Sequence, residues 1–206
     1  MKVLLINGSP HEKGCTYTAL SLIAGELKAQ DIETEILHVG GQPVGGCIGC
    51  GGCRSGNGCV FGGVVNEAIE KAKTADAFVF GSPVHYASAA GNMASFMDRL
   101  AYAGGKYLAY KPAAICCSAR RAGTTATLDQ LVKYPQFFHM PLVNGSYWAM
   151  VHGSNPEQVL QDAEGCAVMQ ELGRNMAWLL RCIEAGKAAG IDHPQNPPRP
   201  MTSFIR

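Results

Sequence analysis

Two segments of this chain have the same form, a short apolar run that ends in Gly-Ser-Pro. The first is KVLLINGSP at residues 2–10, and the second is AFVFGSP at residues 77–83. An apolar run without polar alternation is typical of a β-strand that is buried on both faces, and such strands occur in parallel sheets. The two segments therefore predict parallel strands, each ending in a loop.

Helical periodicity alternates with further apolar runs along the rest of the chain. Apolar spacing predicts helices over residues 16–30, 64–73, 88–103, 124–134 and 163–188, and further strands over residues 33–39, 113–117 and 142–147. Alternation of this kind implies a parallel sheet with helices on both faces and right-handed crossovers. We predict an α/β, three-layer doubly wound fold with a five-stranded parallel sheet of order 2-1-3-4-5.

The C-terminal end differs in composition from the rest. Prolines at positions 194, 197, 198 and 200 exclude a continuation of the last helix. We predict one domain over residues 1–190 and a proline-rich tail over residues 191–206. The tail is expected to be free or to lie across a partner subunit.

Composition excludes several classes of protein. The 206 residues are 47% hydrophobic and 16% charged, which is too apolar for a disordered chain. The formal net charge of +1 and the lack of a basic cluster speak against a nucleic-acid partner. The apolar runs are far shorter than the roughly 18 to 20 residues that span a bilayer, so we expect a cytoplasmic protein with no membrane partner.

Three loops should meet at one site, because ligands of doubly wound sheets bind beyond the carboxyl ends of the strands. The first loop, residues 8–18, combines hydroxyl groups with the free N–H groups of a helix start, which together bind phosphate. It has neither a Gly-Lys-Ser/Thr nor a Gly-x-Gly-x-x-Gly motif, so a monophosphate fits better than a pyrophosphate. The alternative is a plain capping loop in which Ser9 and Thr16 satisfy backbone donors.

The other two loops suit a flat polar heterocycle. Residues 82–88 follow the third strand and carry aromatic and apolar side chains, and residues 118–124 follow the fourth strand with small residues and two arginines. The alternative is that His85 and Tyr86 are ordinary packing residues and that Arg120 and Arg121 form a solvated pair.

The motifs of the three loops resemble, in this order, those of the NAD(P)H-dependent FMN reductases of the flavodoxin-like superfamily. They are Gly8-Ser9-Pro10 with Gly14-x-Thr16, then Ser82-Pro83-Val84-x-Tyr86, then Arg120-Arg121-x-Gly123. The resemblance covers about residues 1–188. It implies a flavodoxin-like fold and an FMN-dependent oxidoreductase that passes electrons from NADH or NADPH via flavin N5 to a small acceptor. That acceptor would be a quinone, an azo or nitro compound, a flavin or a ferric species. A homodimer or homotetramer is also implied.

The resemblance assigns a role to individual residues. It implies phosphate contacts at Ser9, His11, Thr16, Tyr17 and Thr18, and isoalloxazine contacts at Pro83, Val84, His85, Tyr86, Ser118, Ala119 and Arg121. His11 and Cys15 stand where the family commonly has arginine and asparagine, which predicts a weaker hold on the phosphate. No catalytic acid or base is obligatory, and His85 and Tyr86 are the candidates for positioning an acceptor or delivering a proton.

The cysteine run Cys47-x2-Cys50-x2-Cys53-x5-Cys59 resembles the compact motif of iron-sulfur flavoproteins, which share this fold. Four thiolates at these spacings can wrap a 4Fe-4S cluster or a tetrahedral metal ion. With the cluster, the protein would be an electron-transfer carrier. The other interpretation is a metal-free loop beside the flavin, and we expect this one because the FMN site is complete without the cysteines.

Overall fold

Strands and helices alternate along the computed structural model, which describes residues 1–198 and 200–202. The strands are β1 (Lys2–Asn7), β2 (Glu33–His38), β3 (Ala77–His85), β4 (Ser88–Ala89), β5 (Ala113–Ala119) and β6 (Met150–His152). The helices are α1 (Cys15–Lys28), α2 (Val64–Thr74), α3 (Gly91–Gly104), α4 (Thr124–Phe137), α5 (Pro156–Val159) and α6 (Ala163–Ala188). Short 3₁₀ helices lie at Gly52–Ser55 and Gly105–Tyr107.

The sheet has the predicted order. Strands β2, β1, β3, β5 and β6 lie side by side and pair in parallel, so the order 2-1-3-4-5 is confirmed. The structure adds a sixth strand, β4, which pairs antiparallel with the end of β3. Every residue of β5 is buried, as expected for a strand covered on both faces.

Helices cover both faces of the sheet and form two apolar cores. Successive side chains of β3 point to opposite faces, so Phe78 and Phe80 join one core while Val79 joins the other. The first core also takes Phe96 of α3, and the second takes Leu20 of α1. This is the predicted three-layer arrangement.

The predicted fifth strand over residues 142–147 is wrong in position. Only Leu142 bridges to Ala113, after which the chain leaves the sheet and returns at β6. We call residues 143–149, which lie outside the sheet, the excursion before β6. This segment is held by α6, since the backbone N–H and the hydroxyl of Ser146 both donate to Glu171 Oε2 at 2.7 Å. A bond to a helix so much later in the chain cannot be read from the local apolar pattern.

Two strands run further than predicted. The pairing of β3 with β5 persists in register to Pro83 opposite Ser118. β3 then continues to His85 because it pairs with β4, and β5 continues to Ala119 because it pairs with β6. Residues 82–85 and 118–119, expected in loops, are therefore strand residues at the carboxyl edge of the sheet. Ser82, Ser118 and Ala119 are buried there, whereas His85 is exposed.

Two residues of the tail, which is exposed over its described part, contact Tyr110 of the same chain. The ring of His193 stacks on Tyr110 with 4.4 Å between centroids, and Asn196 Nδ2 donates to the Tyr110 hydroxyl at 2.7 Å. Arg199 and residues 203–206 of the predicted tail lie outside the described residues, and the boundary at residue 190 stays a prediction. No helix in residues 1–198 and 200–202 is long and apolar enough to cross a membrane.

Candidate functional site

The three motif-bearing segments meet at the carboxyl edge of the sheet. Pro83 is the register partner of Ser118, and the Ser118 hydroxyl lies 2.8 Å from the Thr16 hydroxyl. Thr16 and Ser118 are both buried. These contacts join the start of α1 to the ends of β3 and β5, and we call the joined segments, residues 8–18, 82–88 and 118–124, the edge site.

The first loop of the edge site is braced internally. The Ser9 N–H donates to Asn7 Oδ1 at 3.1 Å, and Asn7 Nδ2 donates to the Glu12 carbonyl at 2.9 Å. The Ser9 hydroxyl accepts from the His11 N–H at 3.1 Å, so Ser9 satisfies a backbone donor of the loop but does not cap α1. Asn7 was missed by the sequence analysis, although a polar residue that ends a fully apolar strand was the available signal. The loop is thus preshaped before any ligand arrives.

The start of α1 leaves donors available. Gly14 is the N-cap and no side chain caps the helix, so the N–H groups of the first turn can receive an anion. Thr18 Oγ1 donates to the Gly14 carbonyl at 3.2 Å, and Tyr17 is half-buried beside it. Thr16 differs from the prediction in one respect, because its hydroxyl is already paired with Ser118.

Cys15 is turned toward β6 and α5. Its thiol donates to the Gly153 carbonyl at 3.5 Å, and burial raises the pKa of the thiol. It therefore stays neutral near pH 7 and adds no negative charge next to the phosphate-binding donors.

A strained hairpin forms the second part of the edge site. Tyr86 and Ala87 connect β3 to β4 with φ angles of 51° and 57°, which is the two-residue turn that normally takes glycine or asparagine. Holding non-glycine residues there costs about 1–3 kcal/mol each. Gly123, at φ 90°, packs against this turn, because a Cβ there would lie 2.7 Å from Ala87 Cα. The third loop, residues 118–124, thus packs directly against the hairpin.

Polar side chains hold this hairpin from behind. Gln130 Oε1 accepts from the Ser88 hydroxyl at 2.6 Å and from the Ala89 N–H at 2.8 Å. The Ser82 hydroxyl accepts from the Ala90 N–H at 3.0 Å. The turn is therefore supported from α4 and from β3.

The residues assigned by the resemblance differ in exposure. Ser9, Thr16, Ser118 and Ala119 are buried, Tyr17, Thr18, Pro83 and Val84 are half-buried, and His11, His85, Tyr86 and Arg121 are exposed. The side chains of His85 and Tyr86 make no hydrogen bond or ion pair within the described residues. The structure thus brings all three motifs to one edge and leaves four of the assigned side chains facing solvent.

The four cysteines of the run line one cavity of about 290 Å³, which we call the cysteine pocket. All four thiols are free, with Cys47 and Cys50 exposed and Cys53 and Cys59 half-buried. Within residues 1–198 and 200–202, no group of three or more His, Cys, Asp or Glu side chains is placed to hold a single metal ion. A 4Fe-4S cluster makes a different demand, because its thiolates surround the cluster and each ligates its own iron.

Cys59 occupies the most firmly held position of the cysteine pocket. Its N–H donates to Asn66 Oδ1 at 2.8 Å, and Asn66 Nδ2 donates to the Cys59 carbonyl at 3.0 Å. Gly58 precedes it at φ 81°, where a Cβ would lie 2.8 Å from Asn66 Oδ1. The side-chain amide thus clamps the backbone of the last cysteine.

The side chain of Arg99 in α3 lines the cysteine pocket next to Cys59. It is only 6% exposed, and its Nε donates to Cys59 Sγ at 3.2 Å. Arg99 was not predicted from the sequence, although a charged residue between the apolar positions Phe96 and Leu100 was the available signal. A larger cavity of about 460 Å³ lies between β5, α4 and the excursion before β6, and it contains no residue assigned from the sequence.

Comparison with known proteins agrees with this description. Residues 1–155 match the family model for NADPH-dependent FMN reductase. Over 192 residues the chain is 27% identical to an iron-sulfur flavoprotein of Methanocaldococcus jannaschii, covering 89% of this chain and 100% of that protein. A flavodoxin from the domain Archaea superposes with a TM-score of 0.60 at 14% identity, covering 88% of this chain and 99% of that chain. An NADH:FMN oxidoreductase in its apo form superposes with a TM-score of 0.61 at 18% identity, covering 88% and 89%.

Proposed function

Because the chain belongs to the NADPH-dependent FMN reductase family, we propose that its edge site binds FMN and passes electrons from NADH or NADPH to a small acceptor. The flavodoxin-like fold and the family make it an FMN-dependent oxidoreductase. The observation that carries the assignment to this site is the junction of Thr16, Ser118 and Pro83, which unites the three motifs. The acceptor would be a quinone, an azo or nitro compound, a flavin or a ferric species.

The first loop would hold the phosphate. Ser9 and Thr18 carry hydroxyls on either side of the uncapped start of α1, and the N–H groups of that turn add the positive end of the helix dipole. Tyr17 and His11 complete the polar surface assigned to this end. The braces from Asn7 fix the loop in advance, so little ordering remains when the phosphate binds.

The hairpin and the third loop would hold the ring. Bound FMN supplies hydride acceptance and electron release, chemistry that belongs to the cofactor. Pro83 and Val84 are half-buried apolar residues that would cover one side of the ring, and the buried Ala119 would continue this apolar surface. Arg121 is an exposed cation on the neighbouring loop and would stabilise negative charge on the pyrimidine side of the ring. Tyr86 and His85 remain the candidates for positioning an acceptor.

Steady-state kinetics test this proposal. A single site that serves donor and acceptor in turn should give parallel initial-rate lines when NADPH and an artificial quinone are varied. FMN should support turnover better than FAD, because the first loop lacks a pyrophosphate motif. Intersecting lines, or a preference for FAD, would contradict the assignment.

A second candidate function rests on the cysteine pocket. Cys47, Cys50, Cys53 and Cys59 would hold a 4Fe-4S cluster, which supplies one-electron transfer when bound. Two features support the fit: all four cysteines line one cavity, and the described residues that line it include two arginines and no carboxylate. A relative with 27% identity is named an iron-sulfur flavoprotein. We therefore favour the cluster over the metal-free loop expected from the sequence, since spacing alone does not tell whether four thiols face the same space.

Iron analysis separates the two interpretations of the cysteine pocket. After anaerobic purification or iron–sulfide reconstitution, the cluster predicts about four irons per subunit. Changing any one of the four cysteines to serine should remove the iron. Cys182→Ser serves as the matched control, because Cys182 is an exposed cysteine of α6 outside the pocket. A metal-free loop predicts no iron in the wild type and unchanged FMN content in every variant.

We also propose a homodimer or homotetramer in the cytoplasm. Large apolar side chains such as Trp148 and Trp178 are more than half exposed, which favours association between subunits. The nine free cysteines suit a reducing compartment. A monomer by light scattering at micromolar concentration would contradict the oligomer.

A further inference from the structure

Arg99 is a buried cation without a carboxylate partner. Its side chain is 6% exposed, and no Asp or Glu within the described residues lies at ion-pair distance from it. A guanidinium cannot shed its proton in a protein, so the charge persists wherever the residue is buried. Burying such a charge is costly unless an opposite charge compensates it. A group near Arg99 should therefore carry the negative charge that compensates the buried guanidinium.

The contacts of Arg99 point into the cysteine pocket. Nη1 donates to the Gly45 carbonyl at 3.4 Å and Nη2 donates to the Gly62 carbonyl at 3.1 Å, while Nε donates to Cys59 Sγ at 3.2 Å. The two carbonyls satisfy donors but carry no net charge. The Phe61 ring lies 5.4 Å from the guanidinium carbon and carries no net charge either. The described residues that line the pocket include no carboxylate, and of those that can become negative, the four cysteines and Tyr102, Arg99 is bonded to a cysteine, Cys59. The compensating charge is thus that of sulfur and of whatever the sulfurs hold.

We propose that Arg99 is a positioning residue that stabilises the negative charge of a cysteine-bound cluster and thereby raises its reduction potential. This inference rests on the second candidate function above. A 4Fe-4S cluster with four thiolate ligands is anionic, and one further electron, drawn from NAD(P)H through the flavin, makes it more so. A fixed positive charge beside one sulfur therefore stabilises the reduced form more than the oxidised form. Hydrogen bonds to sulfur and net charge are known determinants of cluster potentials.

The location of Arg99 makes this effect strong. It acts at the Cys59 end, where Asn66 clamps the backbone, and because Arg99 is itself 6% exposed, water screens its charge less than that of an exposed cation. Cys47 and Cys50 are exposed. Arg54 also lines the pocket, but it is exposed, and water should screen most of its charge. Arg54 is therefore the natural control for Arg99.

The experiment compares the reconstituted wild type with the variants Arg99→Met, Arg99→Lys and Arg54→Met. The readout is the midpoint potential of the cluster in an EPR-monitored redox titration, with iron and FMN content measured on the same samples. In Arg99→Met, the equilibrium constant for reduction of the cluster should fall at least tenfold. A tenfold fall corresponds to a midpoint potential lower by about 59 mV for one electron. Arg99→Lys keeps the charge and should recover most of the shift, and Arg54→Met should move the potential by less than half as much.

Each outcome decides a separate question. If the wild type takes up no iron under anaerobic reconstitution, the cluster fails and this inference fails with it. If the wild type and Arg99→Met both hold four irons at the same potential, the role of Arg99 is overturned while the cluster stands. If Arg99→Met does not fold, Arg99→Gln carries the same test, because it also removes the charge and retains a donor for the carbonyls.

Discussion

The hydroxyl groups of Thr16 and Ser118 lie 2.8 Å apart in the protein interior, although 102 residues separate them along the chain. Each hydroxyl satisfies the other where water does not reach. The bond connects the helix start that would receive the phosphate with the strand end that would line the ring. It therefore holds two parts of the edge site in a fixed relation.

Thr16→Val should destabilise the protein, because it leaves the buried Ser118 hydroxyl without its partner. We expect the free energy of unfolding in urea to fall by about 1–3 kcal/mol. The double variant Thr16→Val/Ser118→Ala should recover part of this loss, since both polar groups are then removed. Thr18→Val is the control, and it should cost less because Thr18 is only half-buried. Additive losses in the double variant would show that the two hydroxyls are energetically independent.

Ser9→Ala should weaken FMN binding and leave riboflavin binding nearly unchanged, because only FMN carries a phosphate. A hydrogen bond to a charged group contributes about 1.5–3 kcal/mol, so we expect at least a roughly tenfold increase in the Kd for FMN. Quenching of flavin fluorescence measures both ligands. Arg121→Ala, placed on the ring side, should weaken FMN and riboflavin alike. An equal loss of both ligands in Ser9→Ala would place the phosphate elsewhere.

Ala87→Gly should stabilise the protein, because glycine adopts the positive φ of the hairpin without strain. The expected gain is about 1 kcal/mol in the free energy of unfolding. Gly123→Ala should have the opposite effect, since its new Cβ would meet Ala87. Ala126→Gly, the same substitution on the exposed face of α4, should cost about 1 kcal/mol and serves as the control. A destabilised Ala87→Gly would mean that the turn relaxes in solution.

Glu35→Gln should lower stability at neutral pH by about 1 kcal/mol or less, as expected for a partly exposed ion pair. Lys71 Nζ at 2.6 Å and Lys2 Nζ at 2.9 Å hold the pKa of the Glu35 carboxyl below its usual range. Because the pKa is lower in the folded state, the stabilisation is present above the ordinary pKa and is lost as pH falls through the folded value.

Denaturation curves recorded between neutral and strongly acidic pH measure this effect. The difference between wild type and Glu35→Gln should close on acidification and shrink in high salt. The control is Glu70→Gln, whose carboxylate pairs with Lys73 but is 68% exposed, and it should show a smaller difference. A difference that is constant over the whole pH range would contradict the ion-pair origin.

Alkylation of the native iron-free protein should distinguish the buried cysteines from the exposed ones by their rate of reaction. Cys116 and Cys117 lie inside β5, and burial raises the pKa of both thiols, that of Cys117 to about 12. They should react only after unfolding, because the thiolate is the reactive form. Cys47, Cys50 and Cys182 are exposed and should react first. Mass spectrometry of peptides after brief iodoacetamide treatment gives the order, and early labelling of Cys116 would contradict the buried strand.

The amino-acid sequence by itself determined the elements whose signals are local. The apolar run Lys2–Asn7 and the long periodic helix Ala163–Ala188 appear in the structure with the predicted bounds. The sheet order also followed from the sequence, since alternating strands and helices with right-handed crossovers permit few arrangements. Two of the three motifs begin directly after a strand, at Gly8 and Arg120, and the other covers the end of β3.

Only the tertiary structure decided the features that depend on partners distant in sequence. The excursion before β6 is held by Glu171, and the Thr16–Ser118 bond forms only after the sheet has assembled. The meeting of four thiols with Arg99 at one cavity likewise requires α3 to pack on the cysteine loop. The physical reason is that spacing along a chain sets backbone periodicity, whereas burial and charge compensation are set by neighbours that packing brings together.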